Sequence, residues 1–433
     1  MAMISGEQLL CSLEERGLLY QKSGDDLANH LNAPRTVYCG FDPTADSLHL
    51  GHLVPLLMLK RFQEAGHTPI ALVGGATGMI GDPSFKANER QLNSIEKVKD
   101  WAIRLESQIK DLINQDSENE VAIENNSNWL VDLNVLDFLR DVGKHFSINN
   151  LISKESVKQR IDRDGEGISF TEFAYSLVQA LDFAELNRRI GCSVQIGGSD
   201  QWGNIVSGID LNRRQNKSQC YGLTVPLITK ADGSKFGKTE SGTIWLSAKK
   251  TSPYMFYQFW LGVADEDVYR FLGFFTFLSV AEIKLIKDKD EAKNVKPVAQ
   301  SILASEVTRF VHGEDQLDAA KRITDALFTD KSETLQKEDF EQLALDGLAH
   351  ITIQDKNISE LTLSKFLVDS QLAKSGKEVK DALLRGSILI NGELVLPEDS
   401  FNLEKLLSVE RALHENYFLV KFGKKKYLLL SFS

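Results

Sequence analysis

The chain has 433 residues, 42% hydrophobic and 26% charged, a globular balance that calls for two or three cores rather than one. A formal net charge of −11 excludes indiscriminate nucleic-acid binding but leaves room for a local basic surface, since residues 361–433 carry 11 Lys and Arg against 9 Asp and Glu. No apolar run reaches bilayer length, three glutamates precede the first basic residue (Arg16), and Cys11, Cys39, Cys192 and Cys220 show no C-x-x-C spacing. The expectation is therefore a cytoplasmic protein without a membrane segment, targeting leader, disulfide framework or zinc ribbon.

In chain order, residues 36–39 predict a short β-strand ending at Gly40. After a turn at Asp42-Pro43-Thr44, Leu50, Leu53, Leu56, Leu57 and Phe62 keep helical spacing up to Gly66. Residues 69–73 predict the next strand, running into Gly74-Gly75-Ala76-Thr77-Gly78. Strand, helix, strand and glycine turn make a βαβ unit, so the sheet is expected to be parallel. Further strands are predicted at 193–198 and 223–228, with mostly helical sequence over 135–190 and 251–328. The expected fold class is α/β: a doubly wound, parallel-sheet, Rossmann-like catalytic core with a helical insertion over 1–247, then an α-helical domain over 248–328. An acidic, mixed stretch over 329–360 is expected to be a linker. Residues 361–433 predict a small α+β module, with a helix over 375–385 stopped by Gly386, a hairpin about Asn391-Gly392, and paired strands at 418–422 and 427–430.

Two segments carry candidate phosphate chemistry. In the first, His49 and His52 stand at i, i+3 in the opening turn of a helix, so both rings project from one side. The helix N-terminus favours anions, Gly51 permits close approach, and Thr44 adds a hydroxyl from the preceding loop. Two plainer readings compete: a His-x-x-His metal pair completed by Asp46, disfavoured because no other Cys or His lies nearby, and an ordinary polar helix cap. In the second segment, Lys230, Lys235 and Lys238 surround Asp232-Gly233-Ser234 and Gly237. Such a loop could close over a triphosphate while charge redistributes in the transition state; taken alone it would pass for a solvated hairpin. Neither a Walker A loop nor a dinucleotide fingerprint is present.

Together these segments, with Gly78-Met79-Ile80-Gly81-Asp82-Pro83, Phe170-Thr171-Glu172-Phe173 and the run from Gln195 to Asn204, resemble the bacterial-type tyrosyl-tRNA synthetases of class I over nearly the whole chain. His49-Leu50-Gly51-His52 departs from the class pattern only by Leu for Ile. Lys235-Phe236-Gly237-Lys238-Thr239 departs from the class-wide Lys-Met-Ser-Lys-Ser as tyrosyl enzymes commonly do. The resemblance implies activation of L-tyrosine by ATP, with Mg2+, to tyrosyl-adenylate and pyrophosphate, then transfer to the 3′ end of a tRNA. It implies that Tyr38 and Asp182 hold the substrate phenol, that Asp82, Tyr175 and Gln179 bind its ammonium, that Gln195 and Gln201 meet the tyrosine or its activated carboxyl, and that Asn126 would be a further tyrosine contact. A site of this kind rejects phenylalanine because buried polar groups would be left unpaired, and the handful of enzymes that illustrate the rule includes this family. Cys39 and Asp200 would meet the ATP ribose, with Gly40, Asp42, Gly51 and Gly198 also at the nucleotide. Thr44, His49, His52, Lys86, Arg90, Lys235 and Lys238 would stabilise the departing pyrophosphate. No protein metal site is expected.

The C-terminal module resembles a small RNA-binding domain of αL type, first seen in a ribosomal protein. Lys374, Lys377 and Lys380, spaced i, i+3, i+6, are expected on one helix stripe that meets RNA phosphates, with Lys424-Lys425-Lys426 as a second basic cluster. The resemblance also implies a homodimer. Two rivals remain: a tryptophanyl relative, opposed by Tyr38 with Asp182, and an RNA-binding paralogue without ligase activity, opposed by intact Asp82, Asp200, Lys235 and Lys238.

Overall fold

The structure, a computed structural model, describes residues 3–82, 93–114, 119–154, 157–158, 161, 168–234, 236–239, 242–292, 297–346, 348–353, 362–424 and 426–432. The chain divides into two compact units: Met1–Leu246 with Ala264–Ala299, and Ser247–Val263 with Gln300–Ser433.

In the first unit, strands β1 (Gln21–Lys22), β2 (Thr36–Phe41), β3 (Thr68–Val73), β4 (Ala122–Asn125), β5 (Cys192–Gly198) and β6 (Tyr221–Val225) form one sheet in the order β1-β6-β5-β2-β3-β4. All neighbours pair in parallel except the edge pair β1 and β6. The central strands are apolar on both faces, as a sheet with helices on either side requires. The helix Leu50–Glu64 crosses between β2 and β3, and Phe170–Ile190 and Trp202–Gln215 flank β5. Ser169 caps Phe170–Ile190 by accepting from Glu172 N–H, and Gly191 ends it in a left-handed turn. A two-strand ribbon, β7 (Lys238–Thr239) with β8 (Gly242–Thr243), completes the strands described in this unit.

The second unit contains a sheet of β9 (Ala349–Ile353), β10 (Ile388–Ile390), β11 (Glu393–Leu394), β12 (Tyr417–Phe422) and β13 (Lys426–Phe432), in the order β11-β10-β12-β13-β9. The turn between β10 and β11 is Asn391-Gly392, both left-handed at φ 52° and 82°. Strand alternation splits its core. Phe418, Val420, Leu428 and Leu430 pack with the helices Leu363–Asp369 and Gly376–Leu384, while Leu419 and Leu429 pack with Ile323, Phe340 and Leu343.

That second face explains where the observed boundaries differ from the expected ones. Within 329–360 lie the helix Lys337–Leu345 and β9, tied in by the stack of Phe340 on Tyr417 at 4.7 Å and by the Arg322–Asp339 pair at 2.8 Å. The stretch 248–328 is shared between the units, because Asp265–Phe275 and Val280–Asp290 belong to the first. There Arg16 and Arg61 donate to the carbonyls of Leu278 and Thr276, each at 2.7 Å, closing the C-terminal end of Asp265–Phe275. Lys374 also differs from expectation. The helix begins at Gly376, capped by the Ser375 hydroxyl, so only Lys377 and Lys380 lie on it.

Candidate active site

Strand order reverses between β2 and β5, with β3 and β4 to one side and β6 to the other. In an open parallel sheet this reversal leaves a crevice at the C-terminal ends of the strands. A cavity of about 580 Å3 lies there, in the size range of small-molecule sites. β2 brings Tyr38, Cys39 and Gly40 to its wall, and β5 brings Gln195 and Gly198. The helix Phe170–Ile190 adds Tyr175, Gln179 and Asp182, whose i, i+4, i+7 spacing puts them on one face.

The deep end is built around Asp182, 2% exposed. Trp129 Nε1 donates to its Oδ1 at 2.8 Å and Asn126 Nδ2 to its Oδ2 at 3.0 Å. Burial pushes its carboxyl up to about 7, against the pull of those two bonds. The Tyr38 hydroxyl, on a ring 1% exposed, has no hydrogen-bond partner among the described residues. Burial first, then the Asp182 charge, pushes its pKa well above the ordinary value. A buried hydroxyl donor beside a buried acceptor calls for a ligand group that both accepts and donates, as a phenol does. Gln195 Oε1 is likewise buried and unpartnered among the described residues.

Two further polar groupings line the cavity. Tyr175 Oη donates to Asp42 Oδ2 and Thr77 Oγ1 to Asp42 Oδ1, each at 2.7 Å. Gln201 Nε2 donates to Asp82 Oδ2 at 2.7 Å and to Asp200 Oδ2 at 3.2 Å; Gln179 Nε2 donates to Gln201 Oε1 at 3.2 Å. Asn204 Nδ2 donates to Gln179 Oε1 at 3.0 Å. Carboxylates gathered this way favour a cation between them, and burial holds the Asp200 carboxyl above its usual range.

At the mouth, His49 caps the helix Leu50–Glu64: Gly51 N–H donates to His49 Nδ1 at 3.0 Å, and His49 N–H to His52 Nδ1 at 3.2 Å. Both Nδ1 atoms accept, so each neutral ring carries its proton on Nε2 as a donor. The rings lie 4.0 Å apart, and burial with the neighbouring His49 drives His52 down to about 3. The close approach at Gly51 is to the protein itself, since a Cβ there would sit 2.8 Å from His49 Cε1. Thr44 stands on the same wall.

Backbone pairing joins the two candidate phosphate segments. Leu50 N–H donates to Ile244 O at 3.1 Å, Leu246 N–H to Leu48 O at 2.8 Å, and Ile244 N–H to Gly237 O at 3.2 Å. The second segment is also seated on Asp265–Phe275: Phe236 lies 4.8 Å from Phe271 and 5.3 Å from Phe275, and Ala231 N–H donates to Asp267 at 3.0 Å. Lys86, Arg90 and Lys235 lie outside the described residues; Lys238 opens β7. Among the described residues no group of three or more His, Cys, Asp or Glu could hold a metal ion.

Sequence reasoning gave no role to Trp129, Thr77 or Asn204. All three act through other side chains, and the sequence separations (129 to 182, 77 to 42) leave no local pattern to read. Asn126 differs from a direct ligand: both its N–H groups are spent on Asp182 and Thr77, and its Oδ1 accepts from Ala76 N–H at 2.8 Å.

In the second unit, Lys377 lines a depression of about 410 Å3 with Glu378, Asp381, Arg385 and Phe422, so this surface is mixed in charge rather than purely basic. Lys380 is exposed nearby on the same helix, and Lys374 is exposed before it. Of the tail lysines, Lys426 donates to Leu372 O at 3.0 Å and Lys425 lies outside the described residues.

Comparison with known proteins follows the same division. Residues 30–329 match the family of class I tRNA synthetases for tryptophan and tyrosine, and residues 339–430 match the SYY-like C-terminal domain of tyrosine–tRNA ligases. The tyrosine–tRNA ligase of Aliivibrio fischeri is 55% identical over 430 residues, 99% of each chain. That of Neisseria meningitidis is 53% identical over 429 residues, 96% of this chain and 98% of its own. Among solved structures, a C-terminally truncated mitochondrial tyrosyl-tRNA synthetase from Aspergillus nidulans superposes with a TM-score of 0.66 at 31% identity, covering 74% of this chain and 94% of that one.

Proposed function

The chain belongs to the bacterial-type tyrosyl-tRNA synthetases of class I, and on that premise we propose how its cavity works. The family's activity is activation of tyrosine with ATP and esterification of the product onto tRNA. Tyr38 donates to the substrate phenol oxygen and Asp182 accepts a hydrogen bond from the phenol O–H; the Tyr38 hydroxyl, buried beside Asp182 with no partner among the described residues, is the observation that carries this reading. The ammonium sits among Asp82, Tyr175 and Gln179, with Gln195 and Gln201 toward the carboxyl. The ATP ribose meets Cys39 and Asp200, and the nucleotide runs past Gly40, Asp42, Gly51 and Gly198.

The tyrosine carboxylate attacks the α-phosphate in line, its new C–O–P bond forming as the bond to pyrophosphate breaks. Since the carboxylate is already ionised, no protein base is required. Catalysis is positioning and charge stabilisation. His49 and His52 offer Nε2–H donors, and Thr44, Lys86, Arg90, Lys235 and Lys238 add a hydroxyl and four charges as pyrophosphate departs. Magnesium enters with ATP as part of the substrate.

The partners follow: tRNA through Lys374, Lys377 and Lys380, and a second copy of the chain. Exposed apolar side chains concentrate in the helical insertion, at Val131, Val135, Leu136, Leu139, Ile148 and Phe170, the last 77% exposed, which suits a face covered by another subunit. Sedimentation at micromolar concentration should give the mass of a dimer; a monomer would remove that reading. Among the described residues no helix is long and apolar enough to cross a membrane. A cytoplasmic location is proposed from the family resemblance. The activity is tested by charging unfractionated bacterial tRNA with labelled tyrosine: an ester labile to mild base is expected, and no incorporation would contradict the assignment.

A further inference from the structure

Thr77, 2% exposed, opens the short helical turn after β3. Its hydroxyl donates to Asp42 Oδ1 at 2.7 Å and accepts from Asn126 Nδ2 at 2.9 Å. Asn126 gives its other N–H to Asp182 Oδ2 at 3.0 Å, and Tyr175 Oη donates to the second oxygen of Asp42 at 2.7 Å. A hydroxyl has one proton. Spending it on Asp42 leaves Thr77 only an acceptor toward Asn126, which, with its Oδ1 taken by Ala76 N–H at 2.8 Å, presents N–H both to Thr77 and to Asp182. The backbone is cut back to admit this arrangement: a Cβ on Gly74 would collide with Asp42 Oδ1 and Thr77 Oγ1.

We infer that Thr77 is a positioning residue for amino-acid selection, its hydroxyl tying Asp182 at the phenol end of the cavity to Asp42 and Tyr175 at the ammonium end. The inference rests on the assignment of Tyr38 and Asp182 to the phenol. Thr77 holds the acceptor that distinguishes a phenol from a plain phenyl ring. Without its hydroxyl, the Asn126 amide is held by Ala76 N–H alone, and its bond to Asp182 Oδ2 is weakened.

The groups facing Asp182 are Tyr38 from β2, Asp42 from the loop after it, Asn126 and Trp129 from the segment after β4, and Tyr175 and Glu185 on its own helix. The Asn126 bond favours the ionised carboxyl while Asp42 and Glu185 oppose it, so weakening that bond makes Asp182 easier to protonate.

The test is equilibrium binding of tyrosine and of phenylalanine across the neutral pH range to the full chain carrying Thr77→Val, which keeps the shape, or Thr77→Ser, which keeps the hydroxyl. The valine variant should bind tyrosine about tenfold more weakly, the scale of one buried bond to a charged group, with phenylalanine unchanged. The acid limb of its tyrosine binding should move to higher pH, and the serine variant should restore both. Equal losses for both amino acids with an unmoved limb would reduce Thr77 to packing and overturn the inference. If Thr77→Val does not fold, Thr77→Cys, with its weak S–H donor, carries the same readouts. Asp182→Asn separates the two failures: tyrosine binding that survives it sinks the phenol assignment, whatever Thr77 does.

Discussion

At the scale of single residues, the Tyr38 hydroxyl is a buried polar group without a hydrogen-bond partner among the described residues, an arrangement that costs stability. Tyr38→Phe should therefore leave the melting temperature level or slightly raised while the KM for tyrosine rises about tenfold, the scale of one hydrogen bond. A drop in melting temperature with unchanged KM would show a structural hydroxyl instead. Asp182 gives a pH signature. Its carboxyl is raised from 3.8 to about 7 in the folded chain, so its contribution to stability is fully present below 3.8 and is lost as pH rises through about 7. Tyrosine binding runs the other way, strengthening up to about pH 7 as the acceptor ionises. Asp182→Asn should remove that limb and weaken binding at all pH values; a limb that persists belongs to another group. Tyr38 and Asp182 were legible only through the family resemblance, since a strand tyrosine and a helix aspartate look ordinary in sequence. Trp129 and Thr77 were not legible at all, because their partners arrive through crossovers that sequence spacing does not encode.

At the scale of elements, the first candidate phosphate segment is a helix cap made by its own histidines, and the second is a loop seated on Phe271 and Phe275 and paired to the first. Gly51→Ala would push its new methyl into the His49 ring. Displacing a positioned donor should slow tyrosyl-adenylate formation by ten- to a hundredfold, roughly the cost of an ångström of misplacement, with tyrosine affinity unchanged in single-turnover measurements. A parallel loss of affinity would place His49 at the amino acid rather than at the phosphates. The alternating strands and the Asn391-Gly392 turn were legible because each is a local pattern with a steric cause. β1 and β9 were not. β1 is two residues at a sheet edge, and β9 sits in an acidic, mixed stretch whose strand character comes from pairing with β13.

At the scale of the whole molecule, a net charge of −11 coexists with a positive balance over residues 361–433, so nucleic-acid contact must be local. Lys377 and Lys380 are exposed on one helix of the C-terminal module, beside Glu378 and Asp381. Changing both lysines to Glu should raise the KM for tRNA several-fold and flatten its salt dependence by about one unit of slope per lost contact, leaving pyrophosphate exchange unchanged. Unchanged charging would move the RNA surface elsewhere. The doubly wound order of the first sheet was foreseeable from its βαβ rhythm, and it alone fixes where the cavity opens. The division into units was less visible, because the core that joins Phe340 to Leu419 and Leu429 is made by residues far apart in sequence. The central claim is that one cavity activates tyrosine and refuses its deoxy analogue. ATP–pyrophosphate exchange with purified protein, given tyrosine, phenylalanine or tryptophan in turn, tests it most directly. Exchange with tyrosine, and at least a thousandfold less with phenylalanine, is the predicted result, on the order of what an unpaired buried donor and acceptor impose together. Comparable exchange with phenylalanine, or none with any of the three, would contradict it.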